Sequence, residues 1–118
     1  LRPNQIFAAS LHHPIVAGEA ARRAVDSTAG ALLTSYGLRS LAPADPAYCG
    51  TFVGTPKARD SVYHQGPVWS WPIGAFAEAH FRTYGDAAAA LASADIVFEG
   101  VVEDSLIVGR PRQHPLRC

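Results

Sequence analysis

The stretch 37–66 constrains this chain most. Pro43, Pro46, Pro56, Gly50 and Gly54 interrupt it so often that no long helix or strand can run through it. A connection of this length is uncommon inside a compact domain and usually carries function. It also holds Tyr48, Phe52 and Tyr63. Those aromatic residues predict a loop packed over a neighbouring surface, not a solvated linker.

Regular patterns lie on either side of this stretch. From 18 to 35, Ala21, Ala24, Val25, Thr28 and Leu32 fall on one stripe of a 3.6-residue period, which predicts a helix. Glu19 near its start suits the positive end of the helix dipole. Gly37 is the expected residue just past its end. A second helix is expected to open at Pro67, which lacks the N–H that a first turn cannot satisfy. Trp69, Ile73, Phe76 and His80 would share one face, and Ala77, Phe81 and Tyr84 the adjacent one. So wide an apolar face predicts burial on more than one side. Gly85 is expected to stop this helix, and Asp86 to cap an alanine-rich one over 87–94. Ile96-Val97-Phe98 and Leu106-Ile107-Val108 read as short strands, and 109–118 as an irregular tail.

The chain of 118 residues allows one domain at most, and its 48% apolar share is enough for a core. Ten basic residues balance ten acidic ones. This balance argues against a phosphate-tracking groove for nucleic acid and against a polybasic membrane surface. No apolar run approaches the roughly 20 residues a membrane helix needs. Cys49 and Cys118 form no zinc or disulfide pattern and read as free thiols of a reducing compartment. His12-His13 has no third ligand at a metal spacing, so no metal site is expected. Residues 1–5 carry no signal-peptide pattern and no Met, which predicts a cytoplasmic chain and a fragment.

The densest chemical cluster is Arg59-Asp60-Ser61-Val62-Tyr63-His64-Gln65-Gly66-Pro67-Val68-Trp69-Ser70-Trp71. Trp and Tyr offer flat apolar faces with one polar tip. His and Gln hydrogen-bond hydroxyls in either direction. A sugar ring, with its C–H face and hydroxyl rim, matches that combination. The plainer alternative makes Trp69 and Trp71 core residues and His64 a cap. Glycoside hydrolysis needs two carboxyl groups. Asp45, Asp60, Glu78, Asp86, Asp95, Glu99, Glu103 and Asp104 are candidates, but their spacing selects no pair.

Four segments in order carry a resemblance: Arg2-Pro3-Asn4-Gln5-Ile6-Phe7-Ala8, Leu33-Thr34-Ser35-Tyr36-Gly37-Leu38-Arg39-Ser40-Leu41, Asp45-Pro46-Ala47-Tyr48 and Tyr63-His64-Gln65-Gly66-Pro67-Val68-Trp69-Ser70-Trp71. Together they resemble the C-terminal domain of glycogen debranching enzyme, the amylo-α-1,6-glucosidase family. The resemblance implies an all-α fold, part of an (α/α)6 barrel whose helices are joined by long aromatic-rich loops. It implies hydrolysis of α-1,6-glucosidic branch points of glycogen or a branched α-glucan, with no cofactor. It marks Tyr63, His64, Gln65, Trp69 and Trp71 as lining or supporting a sugar pocket. Arg2, Asn4 and Gln5 would lie on a loop of the same face.

The sequence also departs from the family. The general acid, an Asp following a Trp in an earlier segment, has no counterpart. The general base is a Glu in an Ile-Ser-Glu-containing stretch; the nearest likeness, Asp95-Ile96-Val97-Phe98-Glu99-Gly100, puts Ile96 at that position. No catalytic residue is therefore assigned. The expected organisation is a barrel fragment over 1–95 and a divergent tail over 96–118, with the rest of the barrel missing. Two alternatives stand beside debranching: a non-catalytic carbohydrate-binding remnant, and a truncated chain with no independent function.

Overall fold

In a computed structural model of the chain, residues 1–86, 88–90 and 92 are described. The chain opens with a 3-10 turn, Pro3–Ile6, that runs directly into the short helix α1, Phe7–Ser10. Pro3 and Ile6 are buried, so this end is anchored in the core. After Leu11 the backbone folds back. The N–H groups of Ile15 and Val16 both donate to the Ala8 carbonyl, at 2.8 and 3.1 Å.

Helix α2, Gly18–Leu32, follows with Glu19 in its first turn. Ala21, Val25, Thr28 and Leu32 are its buried residues, spaced by four, three and four positions. This is the stripe expected from the sequence, with Ala24 half-buried at its edge. The helix ends earlier than its apolar pattern suggests. Leu33 turns to an extended conformation and starts strand β1, Leu33–Thr34. The chain reverses through Ser35 and Tyr36 into strand β2, Gly37–Arg39, pairing Leu33 with Leu38 and Thr34 with Gly37. The Thr34 hydroxyl clamps the reversal: it donates to the Gly37 carbonyl at 2.9 Å and accepts from the Tyr36 N–H at 3.2 Å.

Gly37 therefore does not cap a helix. It begins a central strand at φ 138°, and a Cβ there would lie 2.2 Å from the Trp69 carbonyl oxygen. Glycine is required because another strand's backbone passes this close. That strand is β3, Val68–Trp69, which pairs antiparallel with β2 through Leu38 opposite Trp69 and Arg39 opposite Val68. The sheet order is β1-β2-β3.

Between β2 and β3 the expected long irregular stretch contains one helix, α3, Pro56–Val62. Thr55 caps it by accepting from the Ala58 N–H at 3.3 Å, and Pro56 occupies the first turn. A proline that reads as a breaker is here a helix start. None of the α3 residues is buried.

Helix α4, Ile73–Tyr84, begins six residues later than Pro67, with Pro72 as its N-cap. The ladder with β2 captures Val68 and Trp69, so Trp69 lies on a strand and not on the helix face with Phe76. Gly85 ends α4 in the left-handed conformation, as expected. Asp86 caps the next turn, accepting from the Ala89 N–H at 3.0 Å, and residues 88–90 are helical.

Helix α4 packs on α1 and α2. The core unites Ile6 and Ala9, Ala21, Val25 and Leu32 of α2, Leu38 of β2, Ala42, and Phe76 and Ala79 of α4. Alanines at 9, 21 and 79 let the helices approach closely. The large side chains Ile6, Leu32, Leu38 and Phe76 fill the space between them. Each contributes about 1.5–3 kcal/mol through burial. Phe81 and Tyr84 of α4 are exposed, against the expectation of burial on more than one side. The Tyr84 hydroxyl donates to Asp26 Oδ1 and the Arg22 guanidinium sits 5.3 Å from its ring centre, tying α4 to α2 at the surface.

The all-α, partial (α/α)6 barrel expectation is corrected. The described residues form the 3-10 turn, the helices α1–α4, a further helical stretch at 88–90 and a three-stranded antiparallel sheet. Only α2 and α4, at 15 and 12 residues, exceed two turns. Where a barrel would link long antiparallel helices, backbone hydrogen bonds instead join three short strands. The expectation of a free thiol at Cys49 is also corrected, because this residue is disulfide-bonded. Cys118, the strands read at 96–98 and 106–108, the Asp95–Gly100 likeness and the tail 96–118 lie outside the described residues.

Candidate functional site

The sheet and the start of α4 hold the aromatic segment against the N-terminal turn. Between them lies an open cleft of about 340 Å³, lined by Arg2, Pro3, Asn4, Ser40, Tyr63, His64, Trp69, Trp71 and Pro72. Residues from the segments 2–4 and 63–72, about sixty positions apart in the chain, thus line it together with Ser40.

Each side chain has an identifiable support. Trp69 is half-buried because its strand pairs with Leu38. Its indole Nε1–H donates to the Tyr63 carbonyl at 3.3 Å, and its ring lies 4.5 Å from the Tyr63 ring. Phe52 packs edge-on against both, at 5.3 Å from Trp69 and 5.8 Å from Tyr63. The long loop therefore does fold over the cluster, through Phe52. The His64 ring stands edge-on to Tyr63 at 5.0 Å. Trp71 stacks on Phe7 of α1 at 5.9 Å and 17° and stays 63% exposed, so it is not a core residue.

The backbone beneath these rings is tightly held. The Gly66 N–H donates to the buried Ser40 hydroxyl at 2.8 Å, and the Ser40 N–H donates to the Pro67 carbonyl at 3.0 Å. The Cys49 N–H donates to the Gln65 carbonyl at 2.6 Å. Gly66 has φ 143°, and a Cβ there would lie 2.6 Å from the Tyr48 ring and 2.8 Å from the Cys49 carbonyl oxygen. Glycine lets the chain enter β3 flush against the 48–49 segment.

Arg2 lines the cleft and links its segments. Its Nη1 donates to the His64 carbonyl and, at 3.3 Å, to the Ser40 carbonyl. Its Nη2 donates to Gln65 Oε1 at 3.1 Å.

Of the eight residues singled out from the sequence, Arg2, Asn4, Tyr63, His64, Trp69 and Trp71 line this cleft. Gln65 does not line it and instead holds Arg2. Gln5 turns elsewhere: its Nε2 donates to the hydroxyls of Ser27 and Thr28 at 3.2 and 3.1 Å, fastening the N-terminal turn to α2. Ser40, Pro3 and Pro72 also line the cleft but did not stand out in the sequence. Ser40 lies inside a segment that carries the family resemblance, and that was the only signal for it.

Among the described residues, the cleft lining contains no Asp or Glu. Its surface is aromatic, with amide, imidazole and hydroxyl groups and the Arg2 guanidinium, which is engaged within the protein. That chemistry suits stacking and hydrogen bonding to a neutral polyol. It does not supply the two carboxyl groups of glycoside hydrolysis. Among the described residues, no group of three or more His, Cys, Asp or Glu side chains is placed to hold a metal ion. No described helix is long and apolar enough to cross a membrane.

The cleft thus joins residues from three of the four segments that carry the family resemblance: Arg2, Pro3 and Asn4, then Ser40, then Tyr63, His64, Trp69 and Trp71. The family model for amylo-alpha-1,6-glucosidase matches residues 1–109, and the chain belongs to that family. It is thus a domain related to glycogen debranching enzyme, in a glycoside hydrolase family. No solved structure matches the chain.

Proposed function

We propose that this chain holds glucosyl units at an α-1,6 branch point of glycogen or a related branched α-glucan, serving a debranching α-1,6-glucosidase. The observation that carries this reading is the convergence of Trp69, Trp71, Tyr63 and His64 with Asn4 around one cleft in a chain of this family. A pyranose ring stacked on the exposed Trp71 would bury its C–H face, while His64 and Asn4 would meet its hydroxyls. Cleavage in this family is acid-assisted, with a base-activated water. Because no described residue of the lining is a carboxylate, these residues bind and orient the sugar, and the acid and base come from other residues.

The same absence favours a second reading, carbohydrate binding without catalysis. One experiment separates the two. The chain is titrated with glucose, maltose and isomaltose while tryptophan fluorescence is followed, and glucose release from a branched glucan is assayed in parallel. A spectral change with isomaltose together with glucose release supports the debranching reading. Binding without release supports the second. No spectral change up to high millimolar sugar rejects both.

A further inference from the structure

Among the described residues of the cleft lining, Arg2 is the one charged side chain, which makes it look like a ligand for substrate. Its hydrogen bonds say otherwise. Both terminal nitrogens of its guanidinium are engaged within the protein, on the carbonyls of Ser40 and His64 and on the Gln65 amide oxygen. These acceptors come from two places: the end of β2, and the turn between α3 and β3.

We propose that Arg2 is the positioning residue of the cleft, acting on the sugar through the His64–Gln65 segment that it holds and not by contact. This rests on the carbohydrate reading for what the cleft receives, but not for what Arg2 does to the protein. The neighbouring backbone groups have other anchors. Gln65 N–H donates to the Val62 carbonyl at 2.8 Å, Gln65 carbonyl accepts from Cys49, and Gly66 N–H donates to Ser40. The His64 carbonyl is held by Arg2. That peptide group lies between the two rings Tyr63 and His64 on one side and β3 with Trp69 on the other. Fixing it sets how the Tyr63 ring meets Trp69.

The contact has a second consequence. Because Gln65 Oε1 accepts from Arg2, the amide is oriented with its Nε2 directed away from the guanidinium. The planar fork of arginine can hold acceptors from separate segments at once, whereas a lysine ammonium offers a single point charge on a flexible stem. Arg2 is itself placed by its neighbour, since Pro3 is buried and has a fixed φ.

The test uses the full chain, with Arg2→Ala and Arg2→Lys. Near-ultraviolet circular dichroism of the sugar-free proteins reads the Tyr63–Trp69 pairing, melting temperature reads stability, and fluorescence titration with isomaltose reads affinity. Arg2→Ala is expected to change the near-ultraviolet spectrum and weaken isomaltose at least about tenfold. Arg2→Lys is expected to keep the melting temperature yet retain the altered spectrum and the weakened binding. Loss of affinity with an unchanged spectrum makes Arg2 a direct ligand and overturns the proposal. Unchanged affinity and spectrum overturn it as well. If the parent chain binds no isomaltose, the carbohydrate reading fails, and the spectra alone decide the role of Arg2. If Arg2→Ala does not fold, Gln65→Leu replaces it. That variant removes one of the anchors, and an unaltered spectrum in both Gln65→Leu and Arg2→Lys rejects the proposal.

Discussion

Trp69 is bonded to the residue whose ring it faces: its indole N–H donates to the Tyr63 carbonyl at 3.3 Å while the two rings lie 4.5 Å apart. The pairing closes the turn from the end of α3 to β3 and makes one wall of the cleft. Trp69→Phe keeps a ring in place but loses that donor, and should cost about 1 kcal/mol. Trp69→Ala also loses the contacts with Phe52 and Tyr63 and should cost about 3 kcal/mol. Chemical denaturation of the two variants checks the order.

Trp71 should behave differently. It is 63% exposed and supported by its stack on Phe7. Trp71→Ala is expected to lower stability by about 1 kcal/mol or less. If the cleft binds sugar as proposed, the same change should abolish the fluorescence response to isomaltose. Parallel melting and titration of this variant separate a binding surface from a packing one.

Gly37 and Gly74 form a matched pair of opposite sign. A methyl group at Gly37 would stand 2.2 Å from the Trp69 carbonyl oxygen, whereas at Gly74, inside α4, it meets nothing within 4 Å. Gly37→Ala should break the β2–β3 pairing and cost about 2–3 kcal/mol or more. Gly74→Ala should stabilise the chain by about 0.5–1 kcal/mol. Urea midpoints measured side by side are the check.

Tyr84 carries a pH signature. Its hydroxyl donates to Asp26, which raises its pKa above the ordinary 10.0, with desolvation and the Asp26 charge adding to the shift. The folded chain thus keeps this proton where the unfolded chain loses it. The contribution to stability is full below pH 10 and declines as pH rises through the folded-state pKa. Asp26→Asn should bring the tyrosinate transition to lower pH. A spectrophotometric titration compared with Tyr84→Phe isolates this residue from the other tyrosines.

Much of the helical framework was legible because it is written locally. The α2 stripe of Ala21, Val25, Thr28 and Leu32 repeats with the helix period, and Gly85 and Asp86 mark an end and a beginning by their own backbone and side-chain preferences. The sheet was not legible. Two- and three-residue strands are too short for alternation to show, and Leu33–Thr34 continues the apolar run of α2. Pro67 carries a helix-start signal, but the pairing of Val68 with Arg39 overrides it. Thr55-Pro56 carried a helix-start signal too, hidden among residues that otherwise read as breakers.

The sequence by itself determined the family, the long helix stripe, and an aromatic group concentrated within 63–71, since all three depend on residues near one another in the chain. Tertiary structure decided what those residues do. Leu38 opposite Trp69, Arg2 on His64, and Gln5 on Ser27 and Thr28 join positions more than twenty residues apart. Such contacts leave no periodic mark, because they are chosen by how already formed elements fit. That fit separated Arg2 and Asn4, which line the cleft, from Gln5, which fastens the turn behind it.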